Sequence, residues 1–113
     1  MATYYVKQND VGSVTPQTFL QDANGDAVNL TSASVRFLMA APGVDPVVAE
    51  DAEVVDADTG EVRYTWLEGD LDDAGYYRAE WEVTYSNDAV ETFPADGYIS
   101  VVIREDLDVE ASS

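Results

Sequence analysis

Residues 76 to 85 read YYRAEWEVTY, and their side chains alternate between two kinds. One set is largely apolar and consists of Tyr77, Ala79, Trp81, Val83 and Tyr85. The other set is largely polar or charged and consists of Tyr76, Arg78, Glu80, Glu82 and Thr84. Because successive side chains of a strand point to opposite faces, this stretch predicts a long β-strand that is buried on one face and solvated on the other.

The same alternation recurs in three other segments, and no long stretch carries an apolar stripe at helical spacing. The three segments are residues 34 to 39 (SVRFLM), 61 to 66 (EVRYTW) and 98 to 103 (YISVVI). Less regular strands are predicted at residues 3 to 8, at 15 to 21 and twice between 46 and 56. Turn residues separate these segments, as in NGD at residues 24 to 26 and DTG at 58 to 60.

Short strands separated by polar turns are typical of an antiparallel sandwich. We therefore predict an all-β fold, an immunoglobulin-like antiparallel β-sandwich of about seven or eight strands. Its core should contain the residues that share the inward faces of the regular strands. These are Val35, Phe37, Met39, Val62, Tyr64, Trp66, Ala79, Trp81, Val83, Ile99, Val101 and Ile103.

The segment DAGYYRA, residues 73 to 79, sharpens the prediction of the fold. Its spacing resembles the tyrosine corner that leads into strand F of immunoglobulin-like domains, formed here by Asp73, Gly75 and Tyr77, with Ala79 where antibody domains place a cysteine. The Tyr77 hydroxyl should then bond a backbone group a few residues upstream, which would stabilise the fold without doing chemistry. A chance turn before a strand is the alternative.

Length and composition indicate one domain. The chain has 113 residues and no cysteine, which is enough to bury a single core without disulfides. We predict one immunoglobulin-like domain over residues 1 to 113, with a frayed tail at 110 to 113. No apolar run approaches the roughly 20 residues of a membrane span, and no signal peptide is evident, so we expect a soluble protein without a membrane partner.

The charge of the chain is extreme. Twenty-three acidic residues stand against five basic ones, of which only Lys7 is a lysine, and the formal net charge is -18. Self-repulsion at this charge weakens a small fold in dilute buffer and largely disappears in concentrated salt. We therefore predict a halophilic protein, with an acidic protein that has a basic partner as the alternative. Nucleic acid is excluded as a partner because no basic patch could neutralise phosphates.

Residues 22 to 30 read DANGDAVNL and begin like a calcium-binding loop. A full EF-hand loop of 12 residues needs glycine at its sixth position and glutamate at its twelfth, where this chain has Ala27 and Ala33. The segments on both sides also have the pattern of strands. We therefore predict a hairpin turn at Asn24–Gly25, both of which tolerate positive φ.

Metal binding stays open only as an alternative, at two acidic turns. The candidate ligands are Asp22, Asn24 and Asp26 in the first turn and Asp56 and Asp58 in the second. The chain has no histidine and no cysteine, so the usual general base and the most reactive nucleophile are absent. We predict that the protein is not an enzyme, has no cofactor, and carries the acidic residues Asp70, Asp72 and Asp73 on a solvated face.

Taken in order, the segments over roughly residues 6 to 107 resemble the N-terminal immunoglobulin-like domain of the phage baseplate upper protein family. The landmarks are Leu30, the strand Val35-Arg36-Phe37, the turn from Asp56 to Gly60, the corner at Gly75 and Tyr77, and Glu91-Thr92-x-Pro94 before the last strand. The resemblance implies a virion structural protein that docks a larger appendage onto a viral tail. Its partners would be other virion proteins, in a symmetric homo-oligomer.

We therefore expect a non-enzymatic assembly adaptor in the tail or baseplate of a tailed virus of a halophilic archaeon. The protein would be made in the host cytoplasm and located in the virion. A capsid decoration, turret or head-tail connector of the same virion is one alternative. A cell-surface or carbohydrate-binding adhesive module is another, although Tyr64, Trp66, Tyr77, Trp81 and Tyr85 are predicted to face inward. The chain stops after the domain, so we expect receptor binding to need another protein.

Overall fold

The computed structural model describes residues 3 to 43, 46 to 94 and 97 to 105, and this part of the chain forms nine strands and no helix. The strands are β1 (Thr3–Lys7), β2 (Thr18–Phe19), β3 (Ser34–Ala40), β4 (Val48–Asp51), β5 (Glu53–Asp56), β6 (Glu61–Arg63), β7 (Gly75–Thr84), β8 (Val90–Phe93) and β9 (Ile99–Arg104). The tail predicted at residues 110 to 113 lies outside the described residues.

The strands form two sheets, which confirms the predicted all-β sandwich. The larger sheet has six strands in the order β1-β9-β7-β3-β4, with β8 pairing alongside β7. The smaller sheet has the order β2-β6-β5. Pairing is antiparallel except between β1 and β9, which run parallel in a register that joins Thr3 to Ser100 and Lys7 to Arg104. The two ends of the described chain therefore meet at one edge of the larger sheet.

The strand pair predicted between residues 46 and 56 links the two sheets. Its first half, β4, pairs with β3 in the larger sheet, and its second half, β5, pairs with β6 in the smaller one. The change of sheet takes place at Ala52, whose amide donates to the carbonyl of Val35 at 2.8 Å. This link joins the sheets on one side of the sandwich, whereas β1 and β2 lie at the other side.

All twelve residues of the predicted core are at most 4% exposed. The centre of the core is aromatic: the ring centroid of Phe37 lies 5.0 Å from that of Tyr64 and 4.8 Å from that of Trp81. Trp66 packs edge-on against both Phe37 and Tyr64. Offset and edge-to-face contacts of this kind stabilise a pair by about 0.5–1.5 kcal/mol beyond the burial of its area.

The structure differs from the prediction at two strands. The segment from residue 61 to 66 alternates as predicted, but regular pairing ends at Arg63, and Tyr64 and Trp66 instead bond the irregular segment at Ser13 and Thr15. Strand β8 was not predicted, because of its four residues only Phe93 is buried and the alternating pattern is too short to see.

Candidate interaction surfaces

Tyr77 forms the predicted corner before β7. Its hydroxyl donates to the main-chain carbonyl of Asp73 at 2.9 Å, and Gly75 between them has a φ of 149°. Such a backbone angle is open to glycine and strained for other residues. Burial, and then the neighbouring Asp73 carboxylate, raise the pKa of Tyr77 above its ordinary value. The hydroxyl therefore stays protonated and bonded, and its contacts are structural.

The acidic turn at residues 22 to 26 is closed by its own carboxylate. The Oδ1 atom of Asp22 accepts hydrogen bonds from the amides of Asn24 at 2.9 Å and Asp26 at 3.0 Å. Gly25 has a φ of 85°, whereas Asn24 does not adopt positive φ, so only one of the two residues behaves as the hairpin prediction expected. Asp22 acts as an Asx-turn residue here, a role that needs no metal.

The second acidic turn is closed by the same kind of hydrogen bond. Asp56 Oδ1 accepts from the amide of Asp58 at 3.0 Å, and the turn ends at Gly60, which has a φ of 74°. Among the described residues, no three acidic side chains lie close enough together to hold a metal ion. The candidate ligands of the two turns are therefore engaged locally, with one carboxylate per turn bonding the backbone.

Two other acidic residues accept hydrogen bonds from tyrosines, of which Tyr64 is buried and Tyr85 is half-buried. The hydroxyl of Tyr64 donates to Asp70 at 2.6 Å, and that of Tyr85 donates to Glu91 at 2.8 Å. Burial and the adjacent carboxylate raise the pKa of Tyr64 well above its ordinary value, and the same causes raise the pKa of Tyr85 to about 12. Both pairs hold loops against the core. Asp72 and Asp73 are exposed as predicted, whereas Asp70, for which a solvated face was also predicted, is half-buried because its carboxylate bonds the hydroxyl of Tyr64.

A cleft of about 710 Å³ opens between the edges of β1 and β2. The side chains that line it include Tyr4, Thr18, Leu20, Phe93, Pro94 and Ile99. Its surface is mainly apolar, although three hydroxyl groups and the side chains of Gln17, Gln21 and Asp22 also line it. No helix in the described segments could cross a membrane, since those segments contain none.

The polar groups of the cleft form a short chain. The Tyr4 hydroxyl contacts the Thr18 hydroxyl, which donates to the carbonyl of Pro16 at 2.9 Å. Burial raises the pKa of Tyr4, and its contacts with Thr18 and Trp81 offset part of that rise. The buried Nε1 atom of Trp81 has no partner with hydrogen-bond geometry among the described residues. Tyr4 and Thr18 therefore bond within the protein rather than towards a ligand.

The aromatic residues divide between the two faces of the larger sheet. Tyr64, Trp66 and Trp81 lie in the core, and Tyr77 and Tyr85 pack against it, on the inner side where the sequence placed them. The outer side carries Tyr5, which is 62% exposed, and Tyr76, which is 78% exposed. Strand pairing places both opposite Val102, so the three side chains form one row across β1, β9 and β7.

Basic residues lie beside this row. Lys7 and Arg104 are direct register partners on one side of the row, and Arg78 pairs with Ser100 on the other side. The guanidinium of Arg104 lies 5.2 Å from the ring centroid of Tyr5, and that of Arg78 lies 4.4 Å from the ring centroid of Tyr98. We call the surface formed by Tyr5, Lys7, Tyr76, Arg78, Val102 and Arg104 the cationic face.

Sequence reasoning did not find the cationic face. Alternation indicated that Tyr76 and Arg78 point outward from β7, but it could not show which strands flank β7. The only signal in the sequence is that the single lysine lies two positions from Tyr5, and therefore on the same face of β1.

Among solved structures, the chain is similar to CopC from Methylosinus trichosporium OB3b. The TM-score is 0.51 at 14% sequence identity, and the similarity covers 93% of this chain and 86% of that one. At this identity the likeness concerns the fold alone, and it supports the β-sandwich described above. Among curated proteins, none matches this chain.

A family comparison identifies the chain more closely. The model of the BppU N-terminal domain matches residues 4 to 107, which include the nine strands of the described structure apart from Thr3 at the start of β1, the corner at Tyr77 and the cationic face. BppU is the phage baseplate upper protein, so the resemblance drawn from the order of the segments is confirmed. This chain belongs to the BppU N-terminal domain family.

Proposed function

We propose that this domain is a non-enzymatic adaptor in the tail or baseplate of a tailed virus, where it joins other virion proteins. The observation that carries the proposal is the family match over residues 4 to 107. Members of a baseplate family act by assembly, and a rigid sandwich with exposed edges and faces suits that role. The homo-oligomeric arrangement predicted from the sequence is part of this proposal.

The surface chemistry supports a role in assembly rather than in catalysis. One carboxylate in each acidic turn, that of Asp22 or Asp56, bonds its own backbone, and those of Asp70 and Glu91 bond tyrosines. The exposed aromatic and basic residues lie instead on the open face of a sheet, which is a surface suited to protein contacts.

We further propose that the virus infects a halophilic archaeon. The support is the net charge of -18 together with a single lysine among 113 residues. In concentrated salt the Debye length falls to about 3 Å, so that such a surface stays solvated without repelling itself. The protein would be made in the host cytoplasm and incorporated into the virion there.

The first test is mass spectrometry on purified particles of the source virus, separated into tail and head fractions in high salt. Recovery of the chain with tails supports the adaptor. Recovery with heads would replace the adaptor by a capsid decoration, turret or connector, and absence from both fractions would exclude a virion role and favour an adhesive module. A virus-free preparation, in which a lysate of uninfected host cells is processed in the same way, controls for contaminating cell proteins.

A further inference from the structure

The cationic face gathers three of the five basic residues of the chain on one corner of the larger sheet. Lys7 and Arg104 lie on one side of the row formed by Tyr5, Val102 and Tyr76, and Arg78 lies on the other. The parallel pairing of β1 with β9 creates this arrangement, since it brings Lys7 beside Arg104 from the opposite end of the chain.

The remaining two basic residues, unlike those of the cationic face, form ion pairs with described residues. Arg36 pairs with Glu82 at 3.1 Å, and Arg63 pairs with Glu53 at 2.8 Å. Among the described residues, Lys7, Arg78 and Arg104 form no ion pair, although the chain carries 23 acidic side chains. All three of these basic residues are exposed.

We propose that the cationic face docks a carboxylate-bearing surface of a different virion protein, an inference that rests on the proposed role in assembly. Tyrosine and arginine are the residues most enriched in the centres of protein interfaces. Here two tyrosines are exposed by 62% and 78% in one row, with a positive charge on either side of them. A partner with acidic groups around an apolar centre would complement this surface.

Charge limits the kinds of partner. In concentrated salt a Debye length of about 3 Å screens the net charge of -18 at a distance, so the attraction acts only at contact, where water is excluded and salt screens little. A second copy of this chain is a poorer partner for this face, because a symmetric contact would set the Lys7, Arg78 and Arg104 charges of the two copies against each other. Nucleic acid is disfavoured because its phosphates would meet three basic residues on a strongly acidic protein.

A carbohydrate is also a poorer fit than a protein surface. A sugar ring needs an open aromatic face on which to stack. The rings of Tyr5 and Tyr98 each have a guanidinium over them, at 5.2 Å and 4.4 Å from the ring centroids. These cation–π contacts occupy surface that a sugar would use.

Lys7 makes the test specific because it is the only lysine in the chain. Purified particles are treated with a carbodiimide, which joins an amine directly to a carboxylate in contact with it. We expect a cross-linked peptide in which Lys7 is joined to an aspartate or glutamate of another virion protein. Fragment ions must assign the link to Lys7 rather than to the amino terminus.

The other outcomes overturn the inference in distinguishable ways. If the chain is in the particle and Lys7 is fully acetylated by an amine-reactive ester without any cross-link, the face is free and the inference fails while the adaptor role stands. A link from Lys7 to a second copy would overturn the choice of partner. If the chain is absent from the particle, the proposed function itself fails.

Matched variants provide a second readout. In particles grown with each variant, Arg78→Glu combined with Arg104→Glu should lower incorporation of the chain by about tenfold or more. Arg36→Glu combined with Arg63→Glu changes the net charge equally but alters basic residues outside the face, and incorporation should be retained. If thermal unfolding shows that both variants are folded and both lose incorporation equally, a role specific to the face is contradicted.

Binding of a glycan by the domain would also overturn the inference that the partner is a protein, if that binding disappears in Tyr5→Ala or Tyr76→Ala.

Discussion

The hydroxyl of Tyr77 donates a hydrogen bond of 2.9 Å to the main-chain carbonyl of Asp73, and this bond fixes the turn that leads into β7. The same turn is also held by β1 and the residues after it. Gln8 Nε2 donates to the carbonyl of Asp72 at 2.6 Å, and the amide of Asn9 donates to that of Leu71 at 3.1 Å. The corner therefore braces two of the strands that build the cationic face.

Replacing Tyr77 by phenylalanine should destabilise the domain by about 1 kcal/mol, the usual net contribution of one hydrogen bond. The ring stays packed against the core, so only the bond to Asp73 is lost. Urea unfolding of Tyr77→Phe measures the change in the free energy of unfolding. Tyr76→Phe is the matched control, since its side chain is 78% exposed, and it should unfold like the original protein. Equal stability of the two variants would show that the corner bond contributes nothing.

Gly60 is required by its surroundings as well as by its backbone angle. A Cβ atom at this position would lie 2.7 Å from the carbonyl oxygen of Leu20 and 2.9 Å from that of Val28, and the φ of 74° disfavours any side chain. Gly60→Ala should therefore cost more than the roughly 1–2 kcal/mol of the backbone angle alone.

Gly25→Ala is the control for this experiment. Gly25 has a φ of 85° but nothing within 4 Å of the added Cβ atom, so this variant should show only the cost of the backbone angle. Denaturant midpoints of both variants separate the two contributions. A loss at Gly60 no larger than that at Gly25 would mean that the neighbouring backbone moves aside freely.

Tyr85 should give the domain a stability that disappears in alkali. Burial and the hydrogen bond to Glu91 raise its pKa to about 12, whereas the pKa of a tyrosine in the unfolded chain is about 10. A raised pKa in the folded state means that the contribution is complete below pH of about 10 and is lost as the pH rises through about 12. Tyr85→Phe should therefore be less stable than the original protein at neutral pH, and the gap should narrow across that window.

Unfolding midpoints measured in urea from neutral to strongly alkaline pH test this expectation. The pKa values of Tyr64 and Tyr77 are also raised, but these residues are present in both proteins and their effects cancel in the difference. A gap that stays constant through the window would contradict the contribution of Tyr85.

The alternation of apolar and polar residues in the sequence predicts most of the fold. The inward-facing residues of β3, β7 and β9 are buried as their spacing predicted, because a one-residue shift would bring charged side chains into the core. What alternation could not give is the order of strands in space. The parallel pairing of β1 with β9 depends on contacts between the two ends of the described chain, and no local pattern specifies them.

The same limit explains why the candidate surface was missed. Tyr5, Tyr76 and Val102 are far apart in the sequence, and only pairing across three strands brings them into one row. The acidic turns could be recognised in the sequence because the residues of each turn are close together along the chain. Their hydrogen bonds, with Asp22 and Asp56 accepting from the amides that follow them, explain their composition without a ligand.

The net charge of -18 predicts that the stability of the isolated domain rises with salt. The Debye length is about 30 Å at 0.01 M salt and about 3 Å at 1 M, so repulsion across the whole domain is screened in the second case. We expect the thermal midpoint to rise by about 4 °C or more over this range, which corresponds to about 1 kcal/mol for a domain of this size. Sucrose, which carries no charge, controls for general stabilisation by cosolutes. The double variant Glu68→Gln and Asp72→Asn removes two exposed charges, so its thermal midpoint should depend less on salt. A thermal midpoint of the original domain that does not depend on salt would refute a halophilic origin.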